Sequence, residues 1–287
     1  TAATVQPALL ARGLRRVALE RGVYVCEGSP MTGLDRTRPP RVRTPRGTVA
    51  AKSLVLALNA WATRFSELRR ALVVIASDIV ASEPVPARLA HAGWTSGLAI
   101  SDSRMLVNYY RTTLDGRIVF GKGGGALAFA GRVGTHFDGA SPRRAEVEDS
   151  FRALYPELSD VRVITSWTGP VSRTTKGLPC FGRLGGRRDI VYATGYSGNG
   201  VGPSYLGGRI LASLALELDD EWAGSPLARG PAGRFPPEPV RYVGARLVRH
   251  AVARKERDED VGRRSSPATL ALARLAPAGL VPVERGD

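Results

Sequence analysis

The chain has 287 residues, 43% of them hydrophobic, which is enough for one large domain or two intertwined domains with a buried core. Its net charge of +15 comes from 41 basic and 26 acidic residues, but the basic residues are scattered and no nucleic-acid-binding motif accompanies them. This distribution argues against a nucleic-acid partner. The sequence has no run of about 18 apolar residues, so it predicts no membrane span. Its two cysteines provide neither a disulfide framework nor a metal cluster. We therefore expect a cytoplasmic protein.

The N-terminal part shows the alternation of helix and strand that is typical of an α/β domain. Leu10, Leu14 and Val17 fall on one face of a predicted helix, which Gly22 ends. The predicted strands that follow are 23–27, the hairpin 41–44 and 48–50, and 53–58. The last of these is continuously apolar, which fits a strand covered on both faces of its sheet.

The middle part has a different pattern, which predicts a mostly antiparallel sheet with one helix. Its predicted strands are 72–80, 104–111, 117–121 and 161–167, and Asp115-Gly116 predicts a hairpin turn between the second and third. Alternation along a strand places Tyr109 and Arg111 on one face. Ser141 and Pro142 predict the N-cap and the first residue of the helix.

The most informative segment is 189–211, which predicts a buried strand over 190–193, a glycine loop (residues 195–202) and a helix beginning at Pro203. A glycine loop of this kind lets the backbone approach a ligand closely. It matches neither the dinucleotide spacing G-x-G-x-x-G nor the phosphate loop. From the residues alone, two interpretations stay open: a cofactor contact, or a tight connection that packs a helix on a sheet.

The C-terminal part loses these patterns. Residues 226–239 are rich in proline and glycine and predict a linker, a charged helix is predicted over 242–260, and the last 25 residues or so are expected to be poorly ordered.

Four segments of the chain resemble the D-amino-acid oxidase-like family of FAD-dependent oxidoreductases. They are Gln6-Pro-Ala-Leu-Leu-Ala-Arg-Gly-Leu14, Val55-Leu-Ala-Leu-Asn-Ala-Trp61, Gly169-Pro-Val-Ser-Arg-Thr-Thr-Lys-Gly-Leu-Pro179 and Ala193-Thr-Gly-Tyr-Ser-Gly-Asn-Gly200. The resemblance spans about residues 5–220. It implies a mixed α/β fold: an incomplete, Rossmann-like FAD-binding domain formed by 1–66 and 165–225, an inserted antiparallel-sheet substrate domain over 67–164, and a linker with a charged tail over 226–287.

The resemblance also implies a flavin site. FAD would be held non-covalently, because no cysteine lies near Gly169. The implied cofactor-binding residues are Asn59, Trp61, Arg173, Gly195, Tyr196, Ser197, Gly198, Asn199, Gly200 and Val201, and the implied substrate-binding residues are Tyr109, Arg111 and Tyr196. Purely structural roles remain open for several of these residues. Trp61 could be a core residue, Tyr109 and Arg111 could simply pack the sheet, and Arg173 could be a surface charge.

By this resemblance the chain would oxidise an amine or amino acid by hydride transfer to flavin N5. Gly202 stands where sarcosine oxidases have a carboxylate-binding lysine, which favours a longer amine as the substrate. The family's N-terminal G-x-G-x-x-G unit and its ribose-binding acid are absent from the sequence. We therefore expect a truncated or fragmentary oxidase that binds FAD weakly or not at all. The alternative is a basic, non-enzymatic binding or scaffold protein without flavin.

Overall fold

The computed structural model describes residues 4–277. Within this range the strands, in chain order, are β1 (Gly33–Asp35), β2 (Arg41–Thr44), β3 (Gly47–Ala50), β4 (Leu54–Leu56), β5 (Val73–Ser82), β6 (Ala99–Ser101), β7 (Asn108–Thr112), β8 (Ile118–Lys122), β9 (Val163–Arg173), β10 (Cys180–Arg183) and β11 (Ile190–Thr194). The α-helices are α1 (Pro7–Glu20), α2 (Ser66–Arg69), α3 (Pro86–His91), α4 (Arg144–Leu154), α5 (Pro203–Ala215), α6 (Val240–Asp260) and α7 (Pro267–Ala273). Over the described residues, no helix combines the length and apolarity needed to cross a membrane.

The described residues form two compact units. The first comprises residues 4–57, 181–193 and 200–230, and the second comprises 58–180, 194–199 and 231–277. The sequence pattern assigned residues 58–66, 165–180 and 194–199 to the cofactor domain, whereas here they lie in the second unit. The reason is that β9 continues as one long strand to Arg173 and pairs with β5 along its whole length. The domain limits given above stay a prediction.

The first unit contains two three-stranded sheets. One has the order β1-β2-β3, and its β2–β3 hairpin is the one predicted from the turn sequence. The other has the order β10-β11-β4, in which β11 runs parallel to β4. All five residues of β11 are buried, as its apolar sequence requires. Helix α5 contacts β4 and buries Ile210 and Leu214, two of the residues that predicted its apolar face.

Two predictions for the N-terminal segment need correction. Residues 23–27 form no strand, and Tyr24 is 96% exposed, because β-propensity without a pairing partner does not make a strand. Helix α1 forms and ends before Gly22 as predicted, but none of its residues is buried in the described structure. The apolar periodicity therefore predicted the helix correctly, but the apolar face is not buried among the described residues.

The second unit is built on a five-stranded antiparallel sheet of order β6-β7-β8-β5-β9. Strand β7 pairs with β8 through the hairpin that Asp115-Gly116 predicted. Along β5 the residues alternate between the two faces of the sheet: Val74, Ala76 and Val80 are buried, while Ile75 and Ser77 are partly exposed. We call the side of Val74 the core face and the side of Ile75 the cavity face.

Helix α4 covers the core face. Val147 and Phe151 of this helix pack with Val80, Ile118 and Phe120 of the sheet. The predicted start of this helix differs slightly from the observed one, since α4 begins at Arg144 rather than at Pro142.

Ser141, predicted as the N-cap of this helix, instead makes a buried polar contact. Its hydroxyl donates to Asp78 Oδ1 at 2.8 Å and accepts from the Arg143 amide at 3.1 Å. The buried Asp78 also pairs with Arg143 at 3.0 Å. The serine therefore helps to satisfy a buried carboxylate as well as the Arg143 amide that precedes α4.

The C-terminal segment is more ordered than its composition predicted. Helix α6 confirms the predicted charged helix, and α7 forms inside the stretch that was expected to be poorly ordered. The Ser266 hydroxyl caps α7 by accepting from the Thr269 amide at 3.2 Å. The predicted linker also makes tertiary contacts, since the Phe235 amide donates to the Arg70 carbonyl at 2.6 Å. Residues 278–287 lie outside the described range.

Candidate functional site

The glycine loop has the backbone that its sequence predicted. Strand β11 ends at Thr194 and α5 begins at Pro203, so the predicted order of strand, loop and helix is confirmed. Gly195 has φ +77°, Ser197 φ +55° and Gly198 φ +100°, which are values that a side chain disfavours. A non-glycine residue in this conformation persists where the surroundings hold it.

The end of β9 holds the loop in the second unit. The Ser197 amide donates to the Ser172 carbonyl at 3.0 Å, and the Gly195 amide donates to the Ser172 hydroxyl at 3.3 Å. The Ser197 hydroxyl accepts from the Thr174 amide at 3.3 Å and donates to the Gly195 carbonyl at 3.1 Å. These bonds satisfy buried backbone groups that have no place in a sheet ladder.

Asn59 lies behind the same network. Its side-chain oxygen accepts from the Ser172 hydroxyl at 2.8 Å, and its carbonyl accepts from the Thr194 hydroxyl at 2.8 Å. Asn59 itself has φ +44°, a conformation in which asparagine is enriched. The structure thus gives Asn59 a role in positioning the loop, whereas the sequence assigned it a cofactor contact. That contact stays a prediction.

A cavity of about 510 Å³ opens beside the loop on the cavity face, and we call it the site cavity. Its lining includes the loop residues 197–199, Ser77 of β5, Tyr109 of β7, and Trp167 and Arg173 of β9. The cavity therefore brings together four of the predicted cofactor-binding residues and one of the predicted substrate-binding residues. Its volume falls in the range of roughly 300–1,000 Å³ found for ligand sites.

Tyr109 lies flat across the sheet because the strand beside it has a glycine at the facing position. Tyr109 pairs with Gly121, and a Cβ at Gly121 would overlap the Tyr109 ring. The ring thereby reaches Ser77, and the two hydroxyl oxygens lie 2.9 Å apart. Burial raises the pKa of the Tyr109 hydroxyl above 10, so this group keeps its proton at neutral pH.

Arg173 is the one charged side chain that lines the site cavity within the described residues. It is partly buried, and burial lowers the pKa of its guanidinium from the ordinary value. Arginine nevertheless keeps its charge in proteins. Arg173 therefore places a guanidinium group in the lining of the site cavity.

The other predicted site residues lie elsewhere. Trp61 is 44% exposed in a short 3₁₀ helix and belongs neither to the core nor to the lining of the cavity. Arg111 shares a strand with Tyr109 but does not line the cavity. Tyr196 is half-buried, and burial raises the pKa of its hydroxyl. Gly200 and Val201 belong to the first unit, where the Gly200 carbonyl accepts from the Ser204 amide at 2.9 Å. Their cofactor roles stay predictions.

Sequence reasoning missed the residues that support the loop and the tyrosine. Ser172, Thr174 and Thr194 hold the loop, and Ser77 holds the Tyr109 hydroxyl. The sequence did contain one signal. Ser77 interrupts the apolar strand predicted over 72–80, and Ser172 and Thr174 follow Gly169. Buried hydroxyl groups in such places satisfy backbone groups that depart from regular structure.

Comparison with known proteins gives a consistent result. The model of the family described as FAD dependent oxidoreductase matches residues 1–214. The gamma-glutamylputrescine oxidoreductase of Escherichia coli (strain K12) is 30% identical over 246 residues, which cover 84% of this chain and 55% of that protein. A probable oxidoreductase, OrdL, of Haemophilus influenzae is 29% identical over 217 residues, which cover 73% of this chain and 46% of that protein. The chain thus spans about half the length of the curated relatives it matches.

The fold agrees with these matches. The crystal structure of glycine oxidase from Geobacillus kaustophilus superposes with a TM-score of 0.61 at 22% identity, covering 76% of this chain and 56% of that one. At this identity the likeness shows the fold alone, but the family match covers most of the sequence. The chain therefore belongs to the family of FAD-dependent oxidoreductases that the sequence resembled.

Proposed function

We propose that this chain provides the flavin-facing loop and the substrate-facing sheet of an FAD-dependent amine or amino-acid oxidoreductase. The observation that supports this most directly is the site cavity, which is lined by loop residues 197–199 together with Tyr109 and Arg173 of the sheet. A ligand in this cavity would touch both the loop that the family resemblance assigns to flavin and the sheet that it assigns to substrate.

The residues fit the ring end of FAD. Gly198 lines the cavity, and the nearest atom to a Cβ built there is Val171 Cγ1 at 3.9 Å, so the backbone itself is accessible to a flat group. The Gly198 amide donates to no other described residue, which leaves it able to bind a ring carbonyl. Ser197 to Asn199 and Arg173 would hold the ring. When bound, FAD supplies the acceptor for a hydride from the substrate carbon next to nitrogen.

Arg173 would act on the protonation of the substrate. An amine must lose its proton before its carbon can give up a hydride, and a positive charge nearby lowers the pKa of a bound ammonium group. The described lining of the site cavity contains no carboxylate that would favour the charged form. For an amino acid, the same guanidinium would pair with the substrate carboxylate.

Tyr109 would orient the substrate. Its protonated hydroxyl, held at 2.9 Å from Ser77, can donate one hydrogen bond into the cavity or accept one from an amine. The flat ring above Gly121 also forms part of the cavity wall. Tyr109 therefore helps to position the substrate and shapes the wall of the site cavity. The proton that the amine loses does not need to pass through the Tyr109 hydroxyl.

The family membership favours this function over the basic scaffold that the sequence also allowed. One relative carries gamma-glutamylputrescine in its name, so amines with a long substituent are the substrates that we test first. Such a substrate agrees with Gly202 standing where a carboxylate-binding lysine was expected for small amino acids.

The test is a titration of FAD into the chain, monitored by quenching of flavin fluorescence, and then anaerobic addition of a linear alkylamine. We expect saturable binding and loss of the flavin's visible absorption after the amine is added. The affinity should be modest, because the loop and Arg173 contact only the ring end of FAD. Absence of saturable binding, or a flavin that no amine reduces, would contradict the proposal.

Two glycine variants control for loop geometry. Gly198→Ala strains a backbone at φ +100° beside the cavity, whereas Gly93→Ala strains one at φ +68° in the loop after α3. Both substitutions place a side chain at a positive φ, which costs about 1 kcal/mol or more. Only Gly198→Ala should weaken flavin binding.

A further inference from the structure

A second cavity, of about 420 Å³, lies on the cavity face under the C-terminal helices, and we call it the apolar cavity. Val73 and Leu127 line it from the side of the sheet, and Val248 and Val252 of α6 line it from the opposite side. Phe235 closes one end. Most of its surface is apolar, although three arginines also line it.

The apolar cavity adjoins the site cavity. Ile75, Met105, Leu106 and Arg173 line both of them. A ligand whose reacting end lies beside Tyr109 and the loop can therefore extend past Arg173 into the apolar cavity without leaving the second unit. All lining residues of both cavities belong to this unit.

The charged side chains that line the apolar cavity, among the described residues, are all arginines. Its described lining contains Arg173, Arg241 and Arg249 and no carboxylate. Arg241 is held by Glu238 at 2.7 Å and by the Leu72 carbonyl at 3.1 Å, and Arg249 donates to the Gly124 carbonyl. A second ammonium group would be repelled here, whereas an uncharged apolar group gains from leaving water.

We infer that the apolar cavity binds the apolar substituent of the amine substrate, so that the preferred substrates are amines bearing an extended alkyl or arylalkyl group that is not positively charged at its far end. This inference rests on the proposed function, because it takes the site cavity as the place of the reacting amine. Beyond the proposed function, it specifies where the second subsite lies, how large it is and which charge it disfavours.

The first experiment measures binding to the chain by calorimetry, without flavin, for a series of linear alkylamines. Burial of one methylene group contributes about 0.8 kcal/mol, so the dissociation constant should fall about fourfold with each added carbon until the cavity is filled. Diamines of equal length carry a second ammonium group and should bind at least tenfold more weakly than the monoamines.

A cavity-filling variant locates the subsite. Gly244 of α6 lines the apolar cavity, and a Cβ built there meets no atom within 4 Å, so Gly244→Phe should fold and occupy the cavity. Gly208 of α5 is its matched control, since it is also a helical glycine with no atom within 4 Å and lies in the first unit. We expect Gly244→Phe to abolish the gain with chain length, and Gly208→Phe to keep it.

The outcomes separate the two proposals. If short polar amines reduce the flavin but affinity does not rise with chain length, the inferred subsite is wrong and the proposed function stands. If chain length and Gly244→Phe act as expected but no amine reduces the flavin, the subsite stands and the proposed reaction fails. Binding of a neutral quinone that Gly244→Phe abolishes, with no dependence on amine length, would overturn the inference in favour of an electron-acceptor site.

Discussion

The two faces of the five-stranded sheet are made by the same strands, yet they differ in packing. On the core face, the rings of Tyr110 and Phe120 stack with centroids 5.3 Å apart, and Phe151 lies 5.7 Å from Phe120. On the cavity face, the neighbouring residue Tyr109 lies over a glycine and lines the site cavity. Alternation along each strand thus divides the residues into one set that stabilises the fold and one set that leaves room for ligands.

The largest expected effect is on the core face. Phe151 is 2% exposed, and Phe151→Ala should lower the free energy of unfolding by about 3–5 kcal/mol, because it removes a buried ring and leaves a void. Trp167→Ala on the cavity face removes a side chain that is 38% exposed and should cost less than about 1.5 kcal/mol. Urea denaturation of both variants measures the difference. Equal losses would show that the two faces contribute alike to stability.

Gly121→Ala should have an intermediate effect, and its main consequence should be in the site cavity. The new methyl group would overlap the Tyr109 ring, and overpacking of this kind costs about 1–3 kcal/mol. The ring would have to move away from Ser77, which changes the wall of the site cavity. We expect weaker amine binding by calorimetry together with a modest fall in stability.

Gly123→Ala is the matched control for this change. A Cβ at Gly123 meets Val107 Cγ1 at 3.6 Å, which is ordinary contact, although Gly123 also lines the site cavity. It should change neither stability nor amine binding by much. If both variants weaken binding equally, the position of the Tyr109 ring does not determine the site.

Local patterns in the sequence predicted much of this arrangement. The glycines and Pro203 predicted the loop and the start of α5, and alternation predicted that Tyr109 and Tyr110 lie on opposite faces of the sheet. Alternation specifies the face but not the position along a strand, and for this reason Arg111 was grouped with Tyr109 although it does not line the cavity. Propensity alone predicted a strand over 23–27, where the structure has no partner strand.

The C-terminal segment was harder because its stability comes from tertiary contacts. Arg241 is buried through bonds to Glu238 and to backbone carbonyls of residues far away in sequence, so a proline-rich polar stretch resembled a linker. The start of α7 did have a local signal, Ser266 followed by Pro267, which is typical of an N-cap and a first helical residue. The apolar cavity, which depends on how α6 packs, had no counterpart in the local sequence.

Ser172→Ala tests how the edge of the sheet holds the glycine loop. The change removes a hydroxyl that accepts from the Gly195 amide and donates to Asn59, so it should cost about 1–2 kcal/mol. Ser150→Ala is the control, since the Ser150 hydroxyl only donates to the Glu146 carbonyl on an exposed turn of α4. Native-state hydrogen exchange should show faster exchange of the Gly195 and Ser197 amides in Ser172→Ala alone. Unchanged exchange would mean that the loop holds its shape without this contact.

The smallest effect expected at neutral pH is that of Tyr109→Phe, and it should depend on pH. Loss of the bond to Ser77 should cost about 0.5–1.5 kcal/mol at pH 7. Burial raises the pKa of Tyr109 above 10, so the folded chain holds this proton more tightly than the unfolded chain does. The stability that this proton provides is present below pH 10 and is lost as the pH rises through the raised pKa. The wild-type chain should therefore lose its advantage over Tyr109→Phe above pH 10, as measured by urea denaturation at pH 7, 9 and 10.5. A difference that stays constant across these conditions would show that Tyr109 ionises as freely as a tyrosine on the surface.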